Sequence, residues 1–179
     1  MDILNYISEN SYWILTLIRQ HFIIFIISTS IAVFLGVSIG IFTTDERWKW
    51  LGNTLQGVMG AAQSIPSIAV IALIFIFVGI GMTPAIIALV IYSLVPVIFN
   101  TTSGLLSITP DMIEAAKGIG LTRWQILWKV KMPIATPVIL AGIRSAATIN
   151  IGTAVIASVI AGGGLGDLIF QGLKMDNSA

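Results

Sequence analysis

The sequence contains no cysteine and one histidine, His21. Disulfides, thiolate nucleophiles and cysteine-based metal sites are therefore excluded together, and a histidine-rich metal centre with them. Charge is scarce as well. Nine Lys/Arg and eight Asp/Glu in 179 residues make 9% charged, against 56% hydrophobic. A soluble domain carries about 25% charged residues, so this chain could not cover a water-facing surface. A net charge of +1 provides no basic face for nucleic acid. The Gly-x-x-x-x-Gly-Lys-[Ser/Thr] phosphate loop is also missing, so nothing here binds a nucleotide through that motif. The mean hydropathy of +0.99 and a length that suits about one domain point to a protein of the lipid bilayer.

The gaps between charges set the layout. Residues 22–44 carry no charge, residues 51–110 carry none, and residues 132–166 carry only Arg144. A hydrocarbon core of about 30 Å takes about 20 helical residues. The first gap thus holds one span and the second holds two, folded at Gly79-Ile80-Gly81-Met82-Thr83-Pro84, a Gly/Pro turn. These runs lack the period-2 alternation of a transmembrane barrel. The expected fold is all-α and polytopic, with four spans near 22–42, 58–80, 84–105 and 134–160. No basic stretch with a short apolar core and cleavage site opens the chain, so residues 1–21 are not read as a secretory signal. Ile3, Ile7, Ile14 and Ile18 recur at helical spacing beside Tyr12 and Trp13, which suits an external interfacial segment over 1–21. The transmembrane domain then covers 22–179.

The Lys/Arg asymmetry gives orientation. Arg47, Lys49, Lys117, Arg123, Lys129 and Lys131 fall in the loops 43–57 and 106–133, against Arg19 and Lys174 on the other side. Six against two places those loops in the cytoplasm and the N-terminus outside. Trp48, Trp50, Trp124 and Trp128 form a belt on the same side, and the chain closes on a polar tail from Lys174.

One loop, 107–133, is not apolar. Thr109 can cap a helix with Pro110 at its first position and Asp111 and Glu114 following. Gly118 or Gly120 can close that helix in a left-handed cap. Thr122 and Gln125 have capping-box spacing for a second helix, and Pro133 is expected to end it. Local physics alone favours an ordinary amphipathic connector. The letters are more specific. Glu114-Ala115-Ala116, three residues, Gly120, nine residues and Val130-Lys131-Met132-Pro133 resemble the EAA loop of ABC-importer permeases, with Val130 and Met132 in place of Ile and Leu. Further stretches are similar to the membrane subunits that import glycine betaine, carnitine and choline. They are Gln63-Ser64-Ile65-Pro66-Ser67, Gly79-Ile80-Gly81, Asn100-Thr101, Thr122–Leu127, Ile139–Arg144 and Gly162-Gly163-Gly164-Leu165-Gly166-Asp167-Leu168-Ile169. The last also resembles methionine-type permeases.

The resemblance implies a type I ABC-importer permease of the bacterial cytoplasmic membrane, in a family with a further span after the glycine-rich segment. It implies that ATP and Mg are bound by separate cytoplasmic ATPase subunits, with no cofactor on this chain. Asp111, Glu114, Ala115, Ala116, Gly120, Arg123 and Pro133 would form the ATPase-coupling elbow. A second permease chain would complete the pathway, and an external binding protein or fused binding domain would dock at Gly162, Gly163, Gly164 and Gly166. Methionine or another small zwitterion is the alternative substrate, and a secondary transporter the alternative class.

Polar residues inside spans are functional candidates. Gln63, Ser64, Pro66, Ser67, Asn100 and Thr101 could line a solute pathway or bond helix to helix, with Pro66 kinking the second span. Arg144 has no intramembrane acid to pair with. A structural or gating role suits it, with backbone carbonyls, Asn150, Asn100 or Gln63 as partners, unless it snorkels to the interface. Gly36/Gly40 and Gly142/Ala146 permit close helix packing, within the chain or between copies.

Overall fold

The computed structural model describes residues 3–45 and 48–176; Arg47, counted in the charge asymmetry, lies outside them, as does the end of the polar tail, Asn177–Ala179. Every regular element among the described residues is helical, so the all-α expectation holds. Three helical runs are long and apolar enough to cross a membrane, and a broken pair brings the number to four.

Helix α1 covers Ile3–Glu9 and α2 covers Ser11–Thr43. The first span was expected from residue 22, but α2 runs through residues 11–21 without a break. No proline lies in that stretch, and Asn10 seats its start: the Asn10 carbonyl accepts from Ile14 N–H at 2.9 Å and its amide donates to the Tyr6 carbonyl at 3.0 Å. At 1.5 Å per residue the 33 residues of α2 reach about 50 Å, well beyond the hydrocarbon thickness. The second expected span, 58–80, is instead two helices: α3 (Lys49–Ala62), which begins inside the expected loop 43–57, and α4 (Ser67–Val78). The proline there does more than kink it. Pro66 is extended at φ −61°, ψ 136°, has no N–H to continue a helix, and restricts Ile65 before it. The 12 residues of α4 reach about 18 Å, too short to span unaided. Gly79 (φ +92°) and Gly81 (φ +122°) then turn the chain into α5, Met82–Leu106.

Helices α6 (Pro110–Gly118) and α7 (Arg123–Ile126) follow, then a π-turn at Leu127–Lys131, α8 (Met132–Ile156), a 3-10 turn at Ala157–Ile160 and α9 (Gly166–Asp176). The whole of Arg123–Ile160 is one apolar helical run of 38 residues. Helix α9 was not expected.

The helices divide between two compact units. One contains Met1–Ile31, Pro66–Tyr92 and Ala147–Ala179. Its core is Ile24, Ile71, Ala85, Ala88, Leu89, Ala154, Ala157 and Ile160. Within it the Asn150 amide donates to Ser28 Oγ and Thr29 Oγ1, both at 2.8 Å, and Gly81 N–H donates to the Ile160 carbonyl at 2.8 Å. Asn150 and Ser28 are fully buried, where water offers no competing bond.

The other unit contains Ala32–Ile65 and Ser93–Ala146, around Leu105, Ile108, Ala135 and Ile139. The small residues work inside it. A Cβ at Gly36 would lie 2.7 Å from Val97 Cγ1, one at Gly40 2.5 Å from Thr101 Cγ2, and one at Gly142 2.5 Å from Asn100 Cβ. Both small-residue motifs therefore pack helices of one chain.

In both units large apolar side chains face outward. Phe34 is 73% exposed and Phe77 78%, a distribution that suits lipid tails and not water.

Candidate functional site: the elbow at residues 107–133

The elbow begins where Ser107 and Ile108 leave α5. Thr109 is extended at φ −66°, ψ 146° and precedes Pro110, as expected, but its hydroxyl makes no capping bond. The proline removes one donor that would need a cap. Asp111 in the first turn and Lys117 in the last complement the helix dipole.

The end of α6 is a Schellman cap. Leu121 N–H donates to the Ala116 carbonyl at 3.1 Å and Gly120 N–H to the Lys117 carbonyl at 2.9 Å, the paired bonds of that motif. Gly120 is the left-handed residue at φ +83°, which decides between the two glycines. The next turn is capped from the other side. Thr122 N–H donates to Gln125 Oε1 at 2.9 Å and Gln125 N–H to Thr122 Oγ1 at 3.4 Å, the expected capping box. Both sides of the bend thus satisfy their own backbone.

Pro133 does not end the helix. It is the second residue of α8, directly after the π-turn. Met132 N–H donates to the Leu127 carbonyl, five residues back. The wider turn accommodates a ring that lacks a donor and would crowd the carbonyl four residues earlier.

Burial sorts the elbow's residues. Ala116 is buried at 5% exposure, so it packs inward and is unavailable to a docking partner. Asp111, Glu114, Ala115, Gly120, Arg123 and Pro133 are exposed. The Glu114 side chain makes no hydrogen bond or ion pair among the described residues. An exposed carboxylate beside an exposed alanine offers a charge next to a place of close approach.

The other candidates are placed as follows. Gln63 and Ser64 are exposed in the break before α4, where Gln63 N–H donates to the Met59 carbonyl at 3.2 Å and Ser64 N–H to the Ala61 carbonyl at 3.1 Å. Pro66 is exposed and Ser67, which opens α4, is half-buried. Asn100 is half-buried, its amide donating to the Pro96 carbonyl at 2.8 Å. Thr101 is fully buried against Gly40, which makes it a packing residue. Arg144 is exposed and unpaired among the described residues. The pairing expected for Arg144 with Asn150, Asn100 or Gln63 does not form among the described residues: the Asn150 and Asn100 amide nitrogens donate to other groups, and no acceptor reaches the guanidinium.

The glycine segment is tightly held. Gly163 and Gly164 have φ of +79° and +92°. Gly164 N–H donates to Gln20 Oε1 at 3.3 Å, and a Cβ at Gly164 would meet His21 Nδ1 at 3.2 Å. A Cβ at Gly162 would lie 2.7 Å from the Ala157 carbonyl oxygen, and one at Gly166 would run into the Val155 carbonyl and Ser158 Oγ. Burial raises the Asp167 carboxyl above its ordinary range. Sequence reading missed Gln20, His21 and the Ser28–Thr29–Asn150 cluster. Adjacent polar residues inside an apolar run were the available signal.

Known proteins now give this geometry a context. The chain is 39% identical to the osmoprotectant import permease protein OsmW of Salmonella typhimurium, covering 97% of this chain and 82% of that one. It is 39% identical to the carnitine transport permease protein OpuCB of Listeria monocytogenes, covering 97% and 78%. It is 37% identical to the choline transport system permease protein OpuBB of Bacillus subtilis, covering 97% and 79%. Its fold matches a chain of the MetNI methionine ABC transporter, solved in inward-facing conformations. That match has a TM-score of 0.78 at 22% identity, over 91% of this chain and 82% of that one. Residues 32–179 match the family model described as the inner membrane component of binding-protein-dependent transport systems. With its spans, its elbow and its relatives in agreement, the chain belongs to that family of membrane transport components.

Proposed function

We propose that this chain is the permease subunit of an ATP-driven importer of osmoprotectants, the quaternary ammonium solutes glycine betaine, carnitine or choline. Relatives named for carnitine and choline transport support the substrate class. The observation that carries the mechanism is the doubly capped elbow, with Glu114 and Ala115 exposed ahead of the Gly120 bend. Separate cytoplasmic ATPase subunits, which bind ATP and Mg, grip this elbow. Asp111 and Arg123 flank the contact and Pro133 anchors the elbow to the long helix behind it. Nucleotide-driven closure of the ATPases moves the elbow and switches the permease between inward- and outward-facing states.

A second permease chain, identical or homologous, completes the pathway. Gln63, Ser64, Pro66, Ser67 and Asn100 are the wall candidates. Broken helices supply polar backbone where a pathway needs it, and the Gln63–Pro66 break has that form. An external binding protein delivers solute at Gly162–Gly166, and Arg144 serves a structural or gating role. The Lys/Arg asymmetry supports a cytoplasmic elbow and an external N-terminus.

The test is uptake of labelled glycine betaine by the reconstituted complex. Glu114→Lys is expected to abolish uptake and ATPase retention while the permease still reaches the membrane. Wild-type uptake and ATPase retention in that variant would remove the coupling assignment.

A further inference from the structure

Beside the elbow lies a cleft of about 440 Å³, inside the about 300–1,000 Å³ range of small-ligand sites. Among the described residues, its ionisable lining comprises Lys117, Arg123 and Lys131 against one acid, Asp45. Trp48 and Trp124 line it too, each in an aromatic pair. Phe42 and Trp48 stack at 6.2 Å, and Trp124 and Trp128 meet edge-on at 5.7 Å. Apart from Thr44 the remaining wall is apolar, with Ile41, Ile113 and Leu127 among its residues.

Position narrows the occupant. Helix α2 ends at Thr43 and the apolar run behind the elbow starts at Arg123. The cleft therefore sits at the ends of spans, where hydrocarbon gives way to headgroups and where tryptophan concentrates. Basic pockets at this depth hold lipid phosphates. A soluble anion would satisfy the cations but gain nothing from Ile41, Phe42 and Ile113. A molecule with a phosphate at one end and hydrocarbon at the other uses both walls.

We infer that this cleft is a binding site for an anionic phospholipid. Its phosphate is held by Lys131 and by Arg123 at the flank of the ATPase contact, and its glycerol and upper acyl chain lie along Ile41 and Phe42. A smaller neighbouring cleft shares Lys117 and Lys131 and adds Glu114, which places the coupling carboxylate beside the lipid site. The site goes beyond the transport reading, since lipid retention is measured without any solute or sidedness.

The experiment is native mass spectrometry of the permease purified with its ATPase, exchanged through detergent containing phosphatidylglycerol and phosphatidylcholine in equal amounts. The wild type is expected to retain phosphatidylglycerol preferentially. Arg123→Gln with Lys131→Gln should cut that preference at least about fivefold, the rough weight of one cation near an anionic surface. The conservative pair Arg123→Lys with Lys131→Arg should keep it, which separates charge from folding. Unchanged preference in the Gln pair would overturn the inference. So would displacement of the lipid by glycerol phosphate, which would assign the cations to a soluble anion. Loss of the ATPase with phosphatidylglycerol still retained would assign the cleft to the motor, and would leave the coupling reading standing.

Discussion

Gly120 shows how much a single position decides. An L-residue in the left-handed region costs roughly 1–2 kcal/mol, and Gly120 sits there at φ +83° with the Schellman bonds depending on it. Gly120→Val should lower uptake several-fold at equal membrane abundance. Gly120→Asn, which tolerates that conformation, should retain most of it. Uptake normalised to immunoblot signal checks both. Glycines elsewhere act by absence of volume. Gly40→Ala forces a Cβ onto Thr101 and should destabilise by about 1–3 kcal/mol. Gly57, within α3, has nothing within 4 Å of its added Cβ, so Gly57→Ala should gain about 0.5–1 kcal/mol. Thermal unfolding in detergent reads both, and equal shifts of the same sign would contradict the packing.

The elements depend on how their ends are satisfied. Thr122→Val removes the capping hydroxyl and should cost about 1 kcal/mol, seen as faster amide exchange at Gln125 with α8 unaffected. Pro133→Ala should let the π-turn tighten toward α-helix, raising amide protection across residues 127–133. Unchanged protection would detach the π-turn from the proline. These caps were legible in the sequence because their chemistry is local, spelled by Pro110, Gly120, Thr122 and Gln125. The π-turn was not. A proline after an apolar stretch ordinarily stops a helix, and whether the chain instead widens one turn depends on what α8 packs against. Helix α9 was hidden for a different reason: its described apolar residues give no span-length signal.

For the whole molecule, the apolar runs and the charge gaps sufficed to read an all-α membrane protein and the loop that bears the elbow. They could not place the start of α2, because Arg19 and His21 look like a span boundary when charge alone is counted. Nor could they pair Asn150 with Ser28, 122 residues away, since such partners are chosen by packing. Sidedness is directly testable because the chain contains no cysteine. Ser8→Cys should react with an impermeant maleimide in intact cells, and Ser107→Cys only after permeabilisation. The reverse pattern would invert the orientation. A run of glycines invites the picture of slack rope, yet Gln20 and His21 grip this one. On the proposed reading, a binding protein that docks there would meet a lip already set and would surrender little disorder on arrival. Discrimination at that lip would then fall to shape.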